Sequence, residues 1–290
     1  MKKRVLALLL GTVLTAGVFA GCSSTAPEPE KSDDTQTTEG EAPTTDGESV
    51  TIKIGASPAP HAEILQQAKD VLAAEGINME ILEFSDYILP NTALDSGELD
   101  ANYFQHEPYL NSFNAENGTK LVSIGNIHYE PMCIYAGKTT SLEEIPDGAK
   151  VSVPNDPTNE ARALLLLEAN GLLKINADAG INATKLDILE NPHNLEIVEM
   201  EAAQLPRTLQ DVDFAVINGN YAVASGLNMS DALAKEEKDS LGAKTYPNVI
   251  AVKEGDENRP ELQKLVEVLK SDEMKDFISE KYQGAVEPVE

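Results

Sequence analysis

Residues 151–171 read VSVPNDPTNEARALLLLEANG, and no other stretch constrains the fold as strongly. Val151–Val153 is a short apolar strand. Asn155 and Asp156 are N-capping types, because their side-chain oxygens accept from the free N–H groups of a first helical turn. Pro157 suits the first helical position, where its missing N–H costs nothing, and Gly171 suits the stop. A helix N-terminus carries unpaired N–H groups and a partial positive charge, so it attracts anions. Arg162 adds a planar, permanently charged fork suited to a carboxylate or phosphate. The chain has four arginines, at 4, 162, 207 and 259, so one near a strand-to-helix switch is a candidate ligand residue. The alternative is an Arg–Asp or Arg–Glu pair that only ties the helix down.

The same strand–turn–helix pattern opens the body of the chain. Thr51–Gly55 alternates as a strand, and a Ser-Pro-Ala-Pro turn follows. A helix then presents Ile64, Leu65, Ala68, Val71 and Leu72 on one face, with Gly76 as its stop. Met79–Phe84 is the next strand, giving a βαβ unit and a parallel sheet. Tyr109–Asn117 reads as a helix, Leu121–Ile124 and Cys133–Ala136 as strands, and Ser141 with Glu144 as a capping box. Phe214–Ile217 is wholly apolar, as buried parallel strands are, and Val249–Val252 is similar. Helices are expected at about Pro260–Lys270 and Asp272–Tyr282. Two α/β units predict two lobes with a ligand cleft between them, outside the carboxyl ends of the strands.

The first residues are of another kind. Lys2, Lys3 and Arg4 precede an apolar run from Val5 to Phe19 that is too short to span a bilayer, the pattern of a secretory signal. Val18-Phe19-Ala20-Gly21-Cys22 resembles a bacterial lipobox, so residues 1–21 are expected to be removed and Cys22 lipidated. From 23 to 49 the chain is Ser, Thr, Pro, Gly and acid, with eight acidic residues and one Lys. Such a segment cannot bury enough apolar surface to fold and reads, with Cys22, as an acidic linker over 22–49. The net charge of −27 argues against nucleic acid and against docking on anionic lipid. Cys133 is the only other cysteine, so no intrachain disulfide is expected within the body.

Two constellations carry candidate chemistry. Tyr87, Tyr103, Phe104, His106, Tyr109 and His128 lie in the stretches FSDYILPN, NYFQHEPY and HYEP, and five of eight tyrosines fall between 87 and 135. Aromatic rings with polar tips suit a small ligand with a polarisable apolar side chain; the alternative is a packing layer. Asn218 and Asn220 follow the Phe214–Ile217 strand, and Asn248 precedes the Val249–Val252 strand. Their amides can satisfy an ammonium and a carboxylate together, while Gly219 serves the turn. The four histidines (61, 106, 128, 193) match no zinc spacing, so no metal and no cofactor is expected. Asp211 and Asp213 flank the Phe214 strand, either as turn and cap residues or as a catalytic pair.

The segments PHAEIL (60–65), DYILPN (86–91), GELDANYFQHEPYL (97–110), NDPTNEARALLLLEANGL (155–172), QLPRTLQDVDFAVIN (204–218) and SDEMKDFI (271–278) resemble the methionine-binding lipoproteins of the NlpA/MetQ type. These are substrate-capturing parts of bacterial ABC importers. The resemblance implies a two-lobed α/β periplasmic-binding-protein fold of type II, with lobe I formed by 50–131 and 251–290 and lobe II by 132–250. It implies that Arg162 holds an α-carboxylate and that Asn218, or Asn220 in its place, acts with Asn248 on the carboxylate and amino groups. Tyr87, Phe104, His106, Tyr109 and His128 would surround the thioether. The chain departs from the usual pattern near Lys235–Pro247, where its approach to Asn248 is longer. The expected function is capture of L-methionine by lobe closure and delivery to a permease and its ATPase. The protein would act as a monomer without enzymatic activity, anchored outside the cytoplasm through Cys22. Alternatives are D-methionine, a methionine derivative, another apolar amino acid or a short peptide, and, in other classes, a surface hydrolase or a metal-capture protein.

Overall fold

The computed structural model describes residues 49–237 and 240–289. The expected signal segment, Cys22 and the linker up to residue 48 lie outside the described residues. Strand β1 (Val50–Ala56), helix α1 (Glu63–Ala74), strand β2 (Ile77–Glu83), helix α2 (Leu89–Ser96) and strand β3 (Ala101–His106) come first. Helix α3 (Glu107–Asn117) and strand β4 (Leu121–Tyr129) follow, and then β5 (Cys133–Ala136) and β6 (Lys150–Pro154). Helix α4 (Pro157–Ala169), the hairpin β7 (Lys174–Ile175) and β8 (Ile188–Glu190), and β9 (Glu196–Met200) come next. Short helices α5 (Leu205–Thr208) and α6 (Gly219–Ala224) bracket β10 (Phe214–Ile217). The chain continues through β11 (Ala234–Lys235), α7 (Leu241–Thr245), β12 (Asn248–Lys253), α8 (Pro260–Leu269), α9 (Asp272–Tyr282) and β13 (Glu287–Pro288).

These strands form two main sheets, one per lobe. The first has the order β13-β4-β12-β3-β1-β2 and the second β11-β5-β10-β6-β9. In the first, β1 runs parallel to β2 and β3, as the βαβ reading requires, whereas β12 is antiparallel to both β3 and β4. In the second, β6 is parallel to β9 and β10, while β5 runs antiparallel to β10. Each sheet is covered on both faces, which is why β10 and most of β12 are apolar, while β3 is buried along its length with Asn102, Gln105 and His106 among its residues. The first sheet has one core built from Ile52, Ile54, Leu65, Leu72, Leu265 and Ile278, and a second around Leu94, Leu110 and Val249. The second sheet has one around Val151, Leu164, Leu167 and Phe214, and another around Leu205, Ala215 and Ile217. Among the described residues no helix is long and apolar enough to cross a membrane.

Local signals explain the matches and the misses. In α4, Asp156 is the N-cap, accepting from Asn159 N at 3.0 Å, and Gly171 takes φ +72° just past the helix end. In α1, Ile64, Leu65, Ala68 and Leu72 are fully buried, but Val71 is 40% exposed, at the outer edge of that stripe in the last turn. The Ser141–Glu144 capping box caps no helix: Ser141 Oγ accepts from Glu143 N at 3.1 Å within a bend. Pro146 lies too close for a helix to develop, since the residue before proline is pushed out of the helical region. Strand β12 straddles the expected lobe boundary at 250/251, yet pairs along its whole length in the first sheet. That pairing sets Asn248 beside His106 on β3 and His128 on β4. The carboxyl end of β3, the β6–α4 turn and the carboxyl end of β10 therefore converge on one gap.

Candidate functional site

That gap is a small, tight cavity whose lining mixes aromatic, amide and charged side chains. Tyr87, Phe104, His106, Tyr109 and Asn248 reach it from the elements of the first sheet, and Arg162, Asn218 and Asn220 from those of the second. Gln105, Glu130, Asn159 and Gly219, to which the sequence assigned no ligand role, complete the lining. Tyr103 and His128 do not line it. The period of two along β3 turns Tyr103 away from the face of Phe104, into the first-sheet core, where its hydroxyl meets His128 Nδ1. Both stand behind the wall as supports.

The support network ends on a carboxylate. His128 Nε2 donates to Glu130 Oε1 at 2.6 Å, and His61 Nε2 lies 3.4 Å from the same oxygen and 3.1 Å from Asn248 Oδ1. Burial drives His61 down to about 4, against the pull of Glu130, and drives His128 to about 3, so both imidazoles are neutral N–H donors at neutral pH. Burial raises the Glu130 carboxyl, which His61, Arg162 and the Asn220 backbone pull back down. The donor atoms of His61, His128 and Glu130 also lie within 4.8 Å of one another, close enough to hold a metal ion. His61 Nε2, His128 Nε2 and Glu130 Oε1 already serve in the hydrogen-bond network just described, while His61 Nδ1 is buried without a partner.

Arg162 sits in a second network. Its Nε and Nη2 clasp the Glu236 carboxylate at 2.9 and 2.6 Å, and Nη2 also donates to the Glu130 carbonyl at 2.8 Å. Tyr246 stacks against the guanidinium, 4.6 Å from the ring centroid. Burial acts to raise the Glu236 carboxyl, but the guanidinium overrides it and holds the group below its ordinary range. The Arg–Glu pair left open by the sequence thus exists, yet Arg162 also faces the cavity and Nη1 donates to no described residue. Its positive charge is matched by Glu236, so among the described residues the Glu130 carboxylate has no permanent cation of its own.

The amides are set by α4 and β10. His106 Nδ1 accepts from Tyr109 N at 3.1 Å, which leaves Nε2–H to donate to Asn159 Oδ1 at 3.2 Å. Asn218 Nδ2 donates to the same oxygen at 2.7 Å, and Asn218 Oδ1 is buried without a partner. A buried acceptor left unmade costs about 1–3 kcal/mol, so this atom invites a donor. Asn220 Oδ1 accepts from the Tyr87 hydroxyl at 2.5 Å, a bond that joins the two lobes. A Cβ on Gly219 would stand 2.6 Å from Glu130 Cβ and 2.8 Å from its Oε2, so glycine here makes room for the carboxylate as well as the turn. Gly219→Ala is expected to cost about 1–3 kcal/mol of stability by overpacking, read as a lower urea midpoint; an unchanged midpoint would refute the close approach.

Asn159 was findable, because it lies three positions before Arg162 on one helix face. Glu130 was in view in the HYEP stretch without a role. Glu236 carried no local signal, being one of 49 acidic residues and 74 positions from its partner. Asp211 and Asp213 lie at the opposite end of β10, where Asp213 accepts from Thr139 Oγ1 and Lys150 N, each at 2.8 Å.

The model of the NlpA lipoprotein family matches residues 52–290. A solved structure from Ruminococcus gnavus ATCC 29149 superposes with a TM-score of 0.82 at 56% identity, covering 83% of this chain and 99% of that one. A nutrient binding protein from Burkholderia cenocepacia, solved bound to methionine, gives 0.78 at 48% identity and covers 82% and 100%. The D-methionine-binding lipoprotein MetQ of Escherichia coli K12 is 41% identical over 237 residues, 80% of this chain and 86% of that protein.

Proposed function

The chain belongs to the NlpA lipoprotein family, and we propose that it captures L-methionine outside the cytoplasm for an ABC-type importer. It is a solute-binding protein of two lobes and not an enzyme. The observation that carries the ligand assignment is the charge pattern of the cavity. Its lining holds a carboxylate with no permanent cation among the described residues, Glu130, an unpartnered acceptor, Asn218 Oδ1, and an arginine nitrogen with no described partner. These complement an α-ammonium and an α-carboxylate. We assign the ammonium to Glu130 and Asn218 Oδ1, and the carboxylate to Arg162 Nη1 and Asn248 Nδ2. Asn220 is spent on Tyr87 through its side chain and on Glu130 through its backbone, which favours Asn218 as the ligand contact. Elsewhere in the lining Tyr87, Phe104 and Tyr109 pack together and would receive the thioether.

Binding and closure are one reaction, because the polar groups come from both sheets and meet only when the lobes are together. In this reading the chain crosses between lobes near residues 130–132 and again between 237 and 247. The protein acts as a monomer, lipidated at Cys22 and held at the membrane, and hands its ligand to the permease and ATPase. The name of the E. coli relative favours a second reading, D-methionine. Isothermal titration with each enantiomer decides between them. Tight 1:1 binding of L-methionine is expected, weakened about 10- to 150-fold by Glu130→Gln, the worth of a hydrogen bond to a charged group at ~1.5–3 kcal/mol. Absence of heat with either enantiomer would sink the assignment.

A further inference from the structure

Two cavities share a wall of two tyrosines. The ligand cavity is small, and beyond it lies a larger outer chamber, lined among others by Ser112, Phe113, Asn155 and Tyr221. Tyr87 and Tyr109 belong to the walls of both. Tyr109 is fixed on α3, 9% exposed, with its hydroxyl on the Tyr87 carbonyl at 3.0 Å. Tyr87 stands instead on the loop between β2 and α2, beside Ile88 and Leu89, which are 62% and 54% exposed. Its ring packs at 5.6 Å from Tyr109 and 4.9 Å from Tyr221, and its hydroxyl is tied to Asn220 across the lobes. Glu130, Arg162, Asn218 and Asn248 line the ligand cavity and not the outer chamber, so a ligand side chain directed from them toward that chamber meets the Tyr87 wall.

We propose that Tyr87 is a partition that sets the length of the ligand side chain, and that without its ring the cavity and the outer chamber join to admit longer S-substituted homocysteines. The proposal rests on the amino-acid-binding reading above. The ring supplies the partition and the hydroxyl supplies the latch that holds it in place, so the two contributions separate by mutation. Removing the ring leaves those polar groups intact, and Phe113 and Tyr221 then offer apolar surface to a longer tail. Single methylenes in an apolar pocket change affinity about 10- to 200-fold, so a wall that excludes several of them gives a large discrimination.

Isothermal titration of the full chain with L-methionine and S-butyl-L-homocysteine tests it. The unmodified protein is expected to prefer methionine at least 100-fold. Tyr87→Phe should keep that preference while weakening both ligands about 3- to 10-fold through loss of the latch. Tyr87→Ala should tighten the butyl compound at least tenfold and cut the preference below tenfold. An unchanged preference in Tyr87→Ala overturns the partition, as does loss of both ligands in folded Tyr87→Ala and Tyr87→Leu, with folding checked by circular dichroism. Failure of the unmodified protein to bind methionine would strike the proposed function instead.

Discussion

Replacing Arg162 with alanine is expected to lower the unfolding free energy by about 3–5 kcal/mol, because it strands a buried carboxylate, and to abolish methionine binding. Glu236 is buried, and without the guanidinium it would keep only the Tyr129 hydroxyl at 2.6 Å and the Met132 amide at 2.9 Å. Urea unfolding without ligand measures the first effect and titration calorimetry the second. The single variant cannot separate a structural from a ligand role, since a shifted helix would also spoil the cavity. The double variant Arg162→Met with Glu236→Leu does. Replacing both members of a buried pair by apolar groups of similar volume is often neutral or stabilising, so most of the lost stability should return. Methionine binding should not. Recovery of binding in the double variant would reduce Arg162 to a structural tie.

How far the sequence led here follows from the range of each signal. The β6–α4 motif was legible because capping by Asp156, Pro157 at the start and Gly171 at the stop are all decided within a few residues. The capping box at Ser141 failed because its motif is equally local and Pro146, just beyond it, overrides it. The aromatic and amide groups were legible as kinds of chemistry, and alternation along β3 could have separated Phe104 and His106 from Tyr103. The carboxylate of Glu130 needed more: its lack of a permanent cation among the described residues is visible only once Glu236 is known to neutralise Arg162, and that pairing is set by tertiary packing across 74 residues. Tyr87 shows the same limit. Its ring was an obvious pocket candidate, but its position between two chambers depends on helices α3, α4 and α6 meeting around it.

Acid should destabilise the protein sharply before most carboxylates titrate. His61, His106 and His128 are held neutral, at about 4, 3 and 3, chiefly by burial, with Arg162 adding to the effect at His106. In the unfolded chain each titrates near 6.5, so between about pH 6.5 and 4 the unfolded state binds three protons that the folded state refuses. Stability therefore falls as pH falls, by up to about 1.4 kcal/mol per unit for each group. From pH 7 to 5 the loss is on the order of 5 kcal/mol, comparable with the whole stability of a domain at the low end of ~5–15 kcal/mol. Glu130 and Asp156, raised by burial, work in the opposite sense, because the folded state then takes up their protons first. Glu236, held below its ordinary range by Arg162, adds to the loss only once pH drops below the ordinary carboxylate value. The measurement is unfolding free energy by urea at pH 7, 6 and 5. His106→Gln should flatten the slope by about one proton, or roughly 1.4 kcal/mol per unit, and a slope that survives intact would show that this imidazole is not buried neutral. His128→Gln should flatten it similarly while also weakening methionine, since the donor that fixes the Glu130 carboxylate would be altered. His106 and His128 thus tie acid stability to the integrity of the ammonium site, and the two readouts should move together at His128 through Glu130.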